Sequence, residues 1–133
     1  MARASCFLSR LPLALVLVSG VAFAQRPAVS PAVVGELQNG SDAPLVLDVR
    51  TQAEFDAGHV PGAILIPHDQ LAGRLSELEA GRWVLVYCRS GARATKAEAV
   101  LNEAGIEVRQ IDGSWLRWEA EGRPGAAPAA ATP

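Results

Sequence analysis

The chain has 133 residues, half of them hydrophobic, and a formal net charge of −2. That length is enough for one domain. The charge balance excludes the strongly basic face that nucleic-acid binding needs, and the apolar content excludes wholesale disorder. The apolar residues are not spread evenly. Arg3 and Arg10 give a positive start, Leu11 to Val21 is an apolar run broken by Pro12, Ser19 and Gly20, and Ala22-Phe23-Ala24 has the small-x-small form of a cleavage site. Residues 1–24 are therefore read as a secretory signal cut before Gln25. The run is shorter than the ~20 apolar residues of a membrane span, so no stable membrane insertion is expected after cleavage. Cys6 precedes the apolar run instead of following it, which excludes the lipoprotein arrangement. The expected location is exported, in the periplasm. Losing two arginines takes the net charge from −2 to about −4, and Cys88 becomes the one thiol of residues 25–133. Exported proteins ordinarily pair their cysteines. An unpaired one is either buried and inert or has chemistry to perform.

Val29 is expected to begin an edge strand. Ser30-Pro31 reads as a helix cap and first helical position, with the helix running to Gln38 and ended by Asn39-Gly40. Leu45 to Val49 is a short apolar run suited to a buried strand. Thr51 with Glu54 three residues on has capping-box spacing, for a helix to Ala57 stopped by Gly58. Ala63 to Ile66 is a second buried strand. Leu71, Leu75 and Leu78 mark one face of a helix ended by Gly81. Trp83 to Tyr87 is a third strand, with Cys88 at its C-terminal end. Ala97, Val100, Leu101 and Ala104 mark another helical face closed by Gly105. Glu107 to Ile111 is a fourth strand, and Ser114 caps a last helix through Trp115 and Trp118. Arg123 to Pro133, rich in Ala, Pro and Gly, is read as a disordered end. No repeat and no second domain is visible, so residues 25–122 form the one domain. Alternating strands and helices imply an α/β fold, a small, mostly parallel sheet with helices on both faces. Ligands in such folds sit beyond the C-terminal ends of the strands.

The loop after the third strand is Cys88-Arg89-Ser90-Gly91-Ala92-Arg93. A tight turn there aims backbone N–H groups at one spot, and the following helix start adds about half a positive charge. Arg89 and Arg93 bring two more cations, so the loop is an anion cradle built around a thiol. Positive surroundings favour the thiolate, which is the nucleophile. The same cradle steadies negative charge in a transition state. Gly91 can take positive φ without a Cβ penalty, and Ser90 can donate a hydroxyl inward. A buried structural thiol is the competing reading, but such thiols have apolar neighbours and not two arginines. His59 and His68 leave a Cys–His pair open on sequence. His68-Asp69 offers too few ligands for a metal, and no metal or cofactor is expected.

At these residues the sequence resembles a single-domain rhodanese, a thiosulfate sulfurtransferase. Besides the Cys88–Arg93 loop, Leu47-Asp48-Val49-Arg50, Glu54-Phe55 and Gly58-His59-Val60-Pro61-Gly62-Ala63 are similar to that family's N-terminal signature. Asp112-Gly113-Ser114-Trp115-Leu116-Arg117-Trp118 is similar to its C-terminal one. Ser114 and Arg117 depart from the usual residues there, which bears on the rim of the pocket and not on the nucleophile. The resemblance covers residues 29–121. It implies a rhodanese-like fold and a two-step reaction in which the Cys88 thiolate takes the outer sulfur of thiosulfate, releases sulfite, and passes the sulfur from a persulfide to cyanide or a thiol. It further implies that Arg89 and Arg93 face the anion, that Ser90, Gly91 and Ala92 line it, and that Asp48 and Arg50 support the site structurally. It assigns His59 to a structural turn. The implied partners are a small anionic sulfur donor and a thiophilic acceptor. A sulfur carrier or binding module of the same fold is the alternative. A phosphatase or arsenate reductase is a weaker one, because those relatives use a seven-residue loop and Cys88 to Arg93 is six. Dithiol redox work needs a second cysteine that residues 25–133 lack.

Overall fold

Apolar residues on both faces of a strand suit a parallel sheet covered on both sides, and the computed structural model, which describes residues 25–127, has that arrangement. Strands β1 (Leu45–Asp48), β2 (Ile64–Leu65), β3 (Val84–Tyr87) and β4 (Val108–Gln110) form one sheet in the order β2-β1-β3-β4. Every pairing is parallel, with Leu47 opposite Ile64 and Val86, and Val86 opposite Gln110. Val29 adds a single parallel bridge to Ile111 at the β4 edge, where the edge strand was expected.

Period-two alternation sends successive residues to opposite layers. Leu47, Val49, Val84, Val86 and Cys88 pack on one side with Ala94, Ala97 and Leu101 of helix α3 (Ala92–Glu103). Val46, Leu85 and Tyr87 pack on the other with Val34 of helix α1 (Val34–Gln38) and with Trp115 and Trp118 of helix α4 (Ser114–Ala120). Helix α2 (Gln52–Ala57) buries no residue and starts with the expected Thr51–Glu54 capping box.

Three expectations are corrected. Leu71, Leu75 and Leu78 do share a face, with Leu71 fully buried and the other two packed beside it, but the segment is two 3-10 turns, Leu71–Gly73 and Leu75–Glu77. Gly73 inside the pattern weakens a continuous helix, and Arg74 leaves helical geometry at φ −126°, ψ 17°. Ser114 does not cap α4: Gly113 holds that position at φ 71°, and Ser114 is already inside the first turn. Residues 123–127, read as the start of a disordered end, fold back instead. Ala126 and His59 exchange backbone hydrogen bonds of 2.7 and 2.8 Å, and the Trp118 indole donates to the Pro124 carbonyl at 3.0 Å. Residues 1–24, the signal reading, and 128–133, the rest of the tail, lie outside the described residues. Among the described residues no helix is long and apolar enough to cross a membrane.

Candidate active site

The ladder decides where the thiol sits. Val49 donates to the Tyr87 carbonyl at 3.1 Å, so the next residue, Cys88, emerges at the C-terminal end of the sheet between β1 and β4. Parity turns its side chain to the α3 layer, among Val49, Leu71 and Ala94, where the residue is 1% exposed. The chain then reverses through Gly91, whose φ of 116° is a conformation that side chains rarely adopt. The reversal brings the Gly91 N–H onto Cys88 Sγ at 3.0 Å. Helix α3 starts one residue later, and its first N–H groups have no carbonyl of their own helix to bond. The sulfur thus lies against the positive end of a helix of 12 residues.

The six loop residues sit in different surroundings. Arg89, Ser90 and Ala92 are exposed, and among the described residues Arg89 has no ion-pair partner. Arg93 differs. Its guanidinium is bound to Glu54 by two bonds of 2.8 and 2.9 Å, with both side chains 27% exposed. The same Glu54 carboxylate accepts from the Thr51 N–H and hydroxyl, both at 3.0 Å. The Arg93 hydrogen bond, against the opposing effect of burial, lowers the Glu54 pKa to about 2. Hydrogen bonding to Glu54 raises that of Arg93 in turn, with a smaller contribution from the nearby Cys88 sulfur. Arg93 therefore ties the start of α3 to the start of α2.

Beneath the loop, Asp48 and Arg50 form a buried pair, 0% and 2% exposed. Arg50 grips the carboxylate through Nε at 3.0 Å and Nη2 at 2.7 Å, and extends Nη2 to the Gly58 carbonyl, also at 2.7 Å. The Tyr87 hydroxyl donates to Asp48 at 2.7 Å and accepts from Val60 N–H at 3.0 Å. Burial would lower the Arg50 pKa, but the hydrogen bond and charge of Asp48 outweigh it and the net shift is upward. Burial, reinforced by the Asp48 charge, pushes the Tyr87 phenol up, so it stays a neutral donor. The guanidinium plane lies 4.8 Å from the Trp115 ring and 5.4 Å from that of Tyr87. A charge held this way is tolerable in a core because every strong group has a partner. The network locks β1, the Gly58–Val60 turn and β3 together, directly behind Cys88.

Helix α4 also grips the loop backbone. Trp115 N–H donates to the Cys88 carbonyl and Leu116 N–H to that of Arg89, both at 3.0 Å, while the Cys88 N–H reaches Ser114 Oγ at 3.4 Å. Sequence reasoning missed three residues here: Glu54 beyond its capping role, Tyr87 and Ser114. The capping-box spacing was a signal for Glu54, but nothing local pairs it with Arg93, 39 residues on. A recess of about 300 Å³ adjoins the loop, bordered by Ser90, Gly91, Gln110, Asp112 and Ser114. His59 stacks on Phe55 at 3.6 Å, and the His68 backbone N–H bonds the Val49 carbonyl; among the described residues neither imidazole hydrogen-bonds the sulfur. Among the described residues no three His, Cys, Asp or Glu side chains gather to hold a metal.

A cysteine just past the end of an inner strand of a parallel sheet, with a backbone N–H on its sulfur and a helix starting beside it, defines a protein built around a thiol held at a helix N-terminus. The comparisons identify which kind. The model of the rhodanese-like domain matches residues 30–121, and the chain belongs to the rhodanese-like domain family. A sulfurtransferase of Allochromatium vinosum is 39% identical over 85 residues, 63% of this chain and 79% of that one. The HTH-type transcriptional regulator Rv0324 of Mycobacterium tuberculosis is 42% identical over 81 residues, 59% of this chain; the match spans 36% of the regulator's length. Among solved structures, the rhodanese-related protein of Thermoplasma volcanium superimposes with a TM-score of 0.68 at 28% identity, covering 76% of this chain and 98% of that one.

Proposed function

We propose that the protein is a sulfurtransferase that moves a sulfane sulfur from thiosulfate to a thiophilic acceptor, cyanide or a thiol, through a persulfide on Cys88. The observation that carries this is the Gly91 N–H on Cys88 Sγ at the start of α3. Donors aimed at one atom of sulfur stabilise its anionic forms before and after transfer. The family and the sulfurtransferase relative support the general activity; the choice of thiosulfate rests on the anion cradle and on Arg89. In the first half-reaction the Cys88 thiolate attacks the outer sulfur of thiosulfate. A Cys–S–S bond forms, the old S–S bond breaks, and its electron pair leaves on sulfite. In the second, cyanide or a thiolate attacks the outer persulfide sulfur, and the pair of that S–S bond returns to Cys88. No net proton or electron is needed from elsewhere, which suits a site without a histidine on the sulfur. The six-residue span from Cys88 to Arg93 favours one added sulfur over a tetrahedral oxyanion.

The test is intact-mass measurement with and without thiosulfate, followed by cyanide. A gain of one sulfur that cyanide removes as thiocyanate, and that Cys88→Ser abolishes, is expected. No gain in the unsubstituted protein overturns the proposal. A mass that begins at Gln25 in protein made by an exporting host would support the proposed export to the periplasm, and an intact Met1 start in that host would count against it. A second reading, a module that carries sulfur to a protein partner, is favoured by the near-complete burial of Cys88. A persulfide that forms but resists both cyanide and small thiols would select it.

A further inference from the structure

We infer that Ser114 is a positioning residue for Cys88, completing with its side chain a hydrogen-bond ladder that the backbone leaves unfinished. This rests on the reading of Cys88 as the nucleophile. Between β3 and β4 the parallel register runs Val84, Leu85 and Val86 against Val108, Arg109 and Gln110, with Val84 N–H donating to the Glu107 carbonyl and Ile111 N–H to that of Val86. Continued in step, the next acceptor for the Cys88 N–H is the Ile111 carbonyl. The ladder does not continue that way: the Ile111 carbonyl accepts the Ser114 N–H at 3.0 Å as the chain turns into α4, and the Cys88 N–H bonds elsewhere. The acceptor within reach of the Cys88 amide is Ser114 Oγ, at 3.4 Å. Both residues are 1% exposed, so no water shell stands ready to replace it.

The backbone shows what this contact demands. Ser114 is the one non-glycine residue among those described with positive φ, at 51°. Strain of this kind persists where the surroundings impose it, and it gathers at functional sites. A glycine would sit there at ease but would bring no oxygen to the Cys88 amide. The residues following Ser114 hold the Cys88 and Arg89 carbonyls through Trp115 and Leu116 N–H. With Ser114 Oγ on the amide, both peptide groups flanking the cysteine Cα are fixed. The direction of its Cα–Cβ bond, and hence the seat of Sγ on the Gly91 N–H, follows from that.

Two variants separate the hydroxyl from the strain. Ser114→Ala keeps a Cβ at positive φ and loses the oxygen; Ser114→Gly loses both the oxygen and the strain. The readouts, taken well below the unfolding temperature of each protein, are the second-order rate of Cys88 alkylation by iodoacetamide and the single-turnover rate of persulfide formation at varied thiosulfate. Both variants should alkylate about fivefold more slowly, the equivalent of one ordinary hydrogen bond. The limiting rate of persulfide formation should fall by a similar factor, with the half-saturating thiosulfate concentration unchanged. Ser114→Gly should unfold at the same or a higher temperature than Ser114→Ala, so slower chemistry in the glycine variant is not a loss of fold. Should the alanine variant fail to fold, the glycine variant carries the test alone. Parental alkylation rates in Ser114→Gly overturn the inference. Slowed alkylation in a protein whose unsubstituted form makes no persulfide would leave the role of Ser114 standing and remove the sulfur-transfer reading.

Discussion

Tyr87→Phe removes one oxygen from the core and nothing else of consequence. That oxygen donates to Asp48 at 2.7 Å and accepts from Val60 N–H at 3.0 Å, inside a residue that is 0% exposed. A hydrogen bond to a charged group contributes about 1.5–3 kcal/mol, and a buried N–H stranded without its acceptor costs about 1–3 kcal/mol. The two losses share one atom and relax together, so we expect about 3 kcal/mol. Asp48 itself is not left bare, because Arg50 still holds both of its oxygens. For a domain of this size, that loss lowers the melting temperature by roughly 15 °C. Urea unfolding with a parallel thermal melt measures it. The phenol and the thiol lie in opposite layers of the sheet, so persulfide formation by the folded variant should stay within about twofold of the parent, well short of one hydrogen bond's worth of rate. A loss under about 1 kcal/mol would refute the reasoning, as would slow chemistry in a variant of undiminished stability.

Glu54→Gln should cost about 1 kcal/mol at neutral pH, the upper range for a partly exposed pair. Because the Glu54 pKa is depressed to about 2, the stabilisation is fully present above the usual carboxylate range and is lost as pH falls through that of the folded state. The stability gap between parent and variant should thus hold from pH 7 to about 5 and close between about 4.5 and 2, as read by urea unfolding at each pH. Gly91→Ala meets open space but must adopt a φ of 116°; it should destabilise by about 1–2 kcal/mol and slow Cys88 alkylation as the Gly91 N–H shifts off the sulfur. Arg89→Ala should raise the half-saturating thiosulfate concentration several-fold and flatten its salt dependence; the same salt response as the parent would show that another charge recruits the anion.

Those residues also mark what sequence could and could not reveal. The parallel sheet was legible because its strands are short apolar runs set between glycine and proline, and the Thr51–Glu54 box because both partners lie within one turn. Cys88 stood out as a thiol among arginines. The Leu71–Leu78 segment misled because a leucine face survives whether the chain winds as one helix or as two 3-10 turns. Ser114 misled because a serine before an apolar stretch is an ordinary helix cap, and only the fold shows its hydroxyl on the Cys88 N–H. The ion pair of Arg93 with Glu54 was not legible because tertiary packing brings the two together across 39 residues. Pairings of that separation leave no local pattern.

The grip of α4 on the Cys88–Arg93 loop also sets an order of events in time. Every strand pairing here is parallel and joins distant segments, which makes folding slow compared with locally wired chains. During synthesis the thiol of residue 88 exists well before Ser114, Trp115 and Leu116 are made, yet those residues complete its backbone partners. A growing chain therefore carries the cysteine without its finished setting. The setting of Cys88 is complete only once the last helix docks, and a chain that stops short of Gly113 retains the thiol but not the backbone partners that fix it.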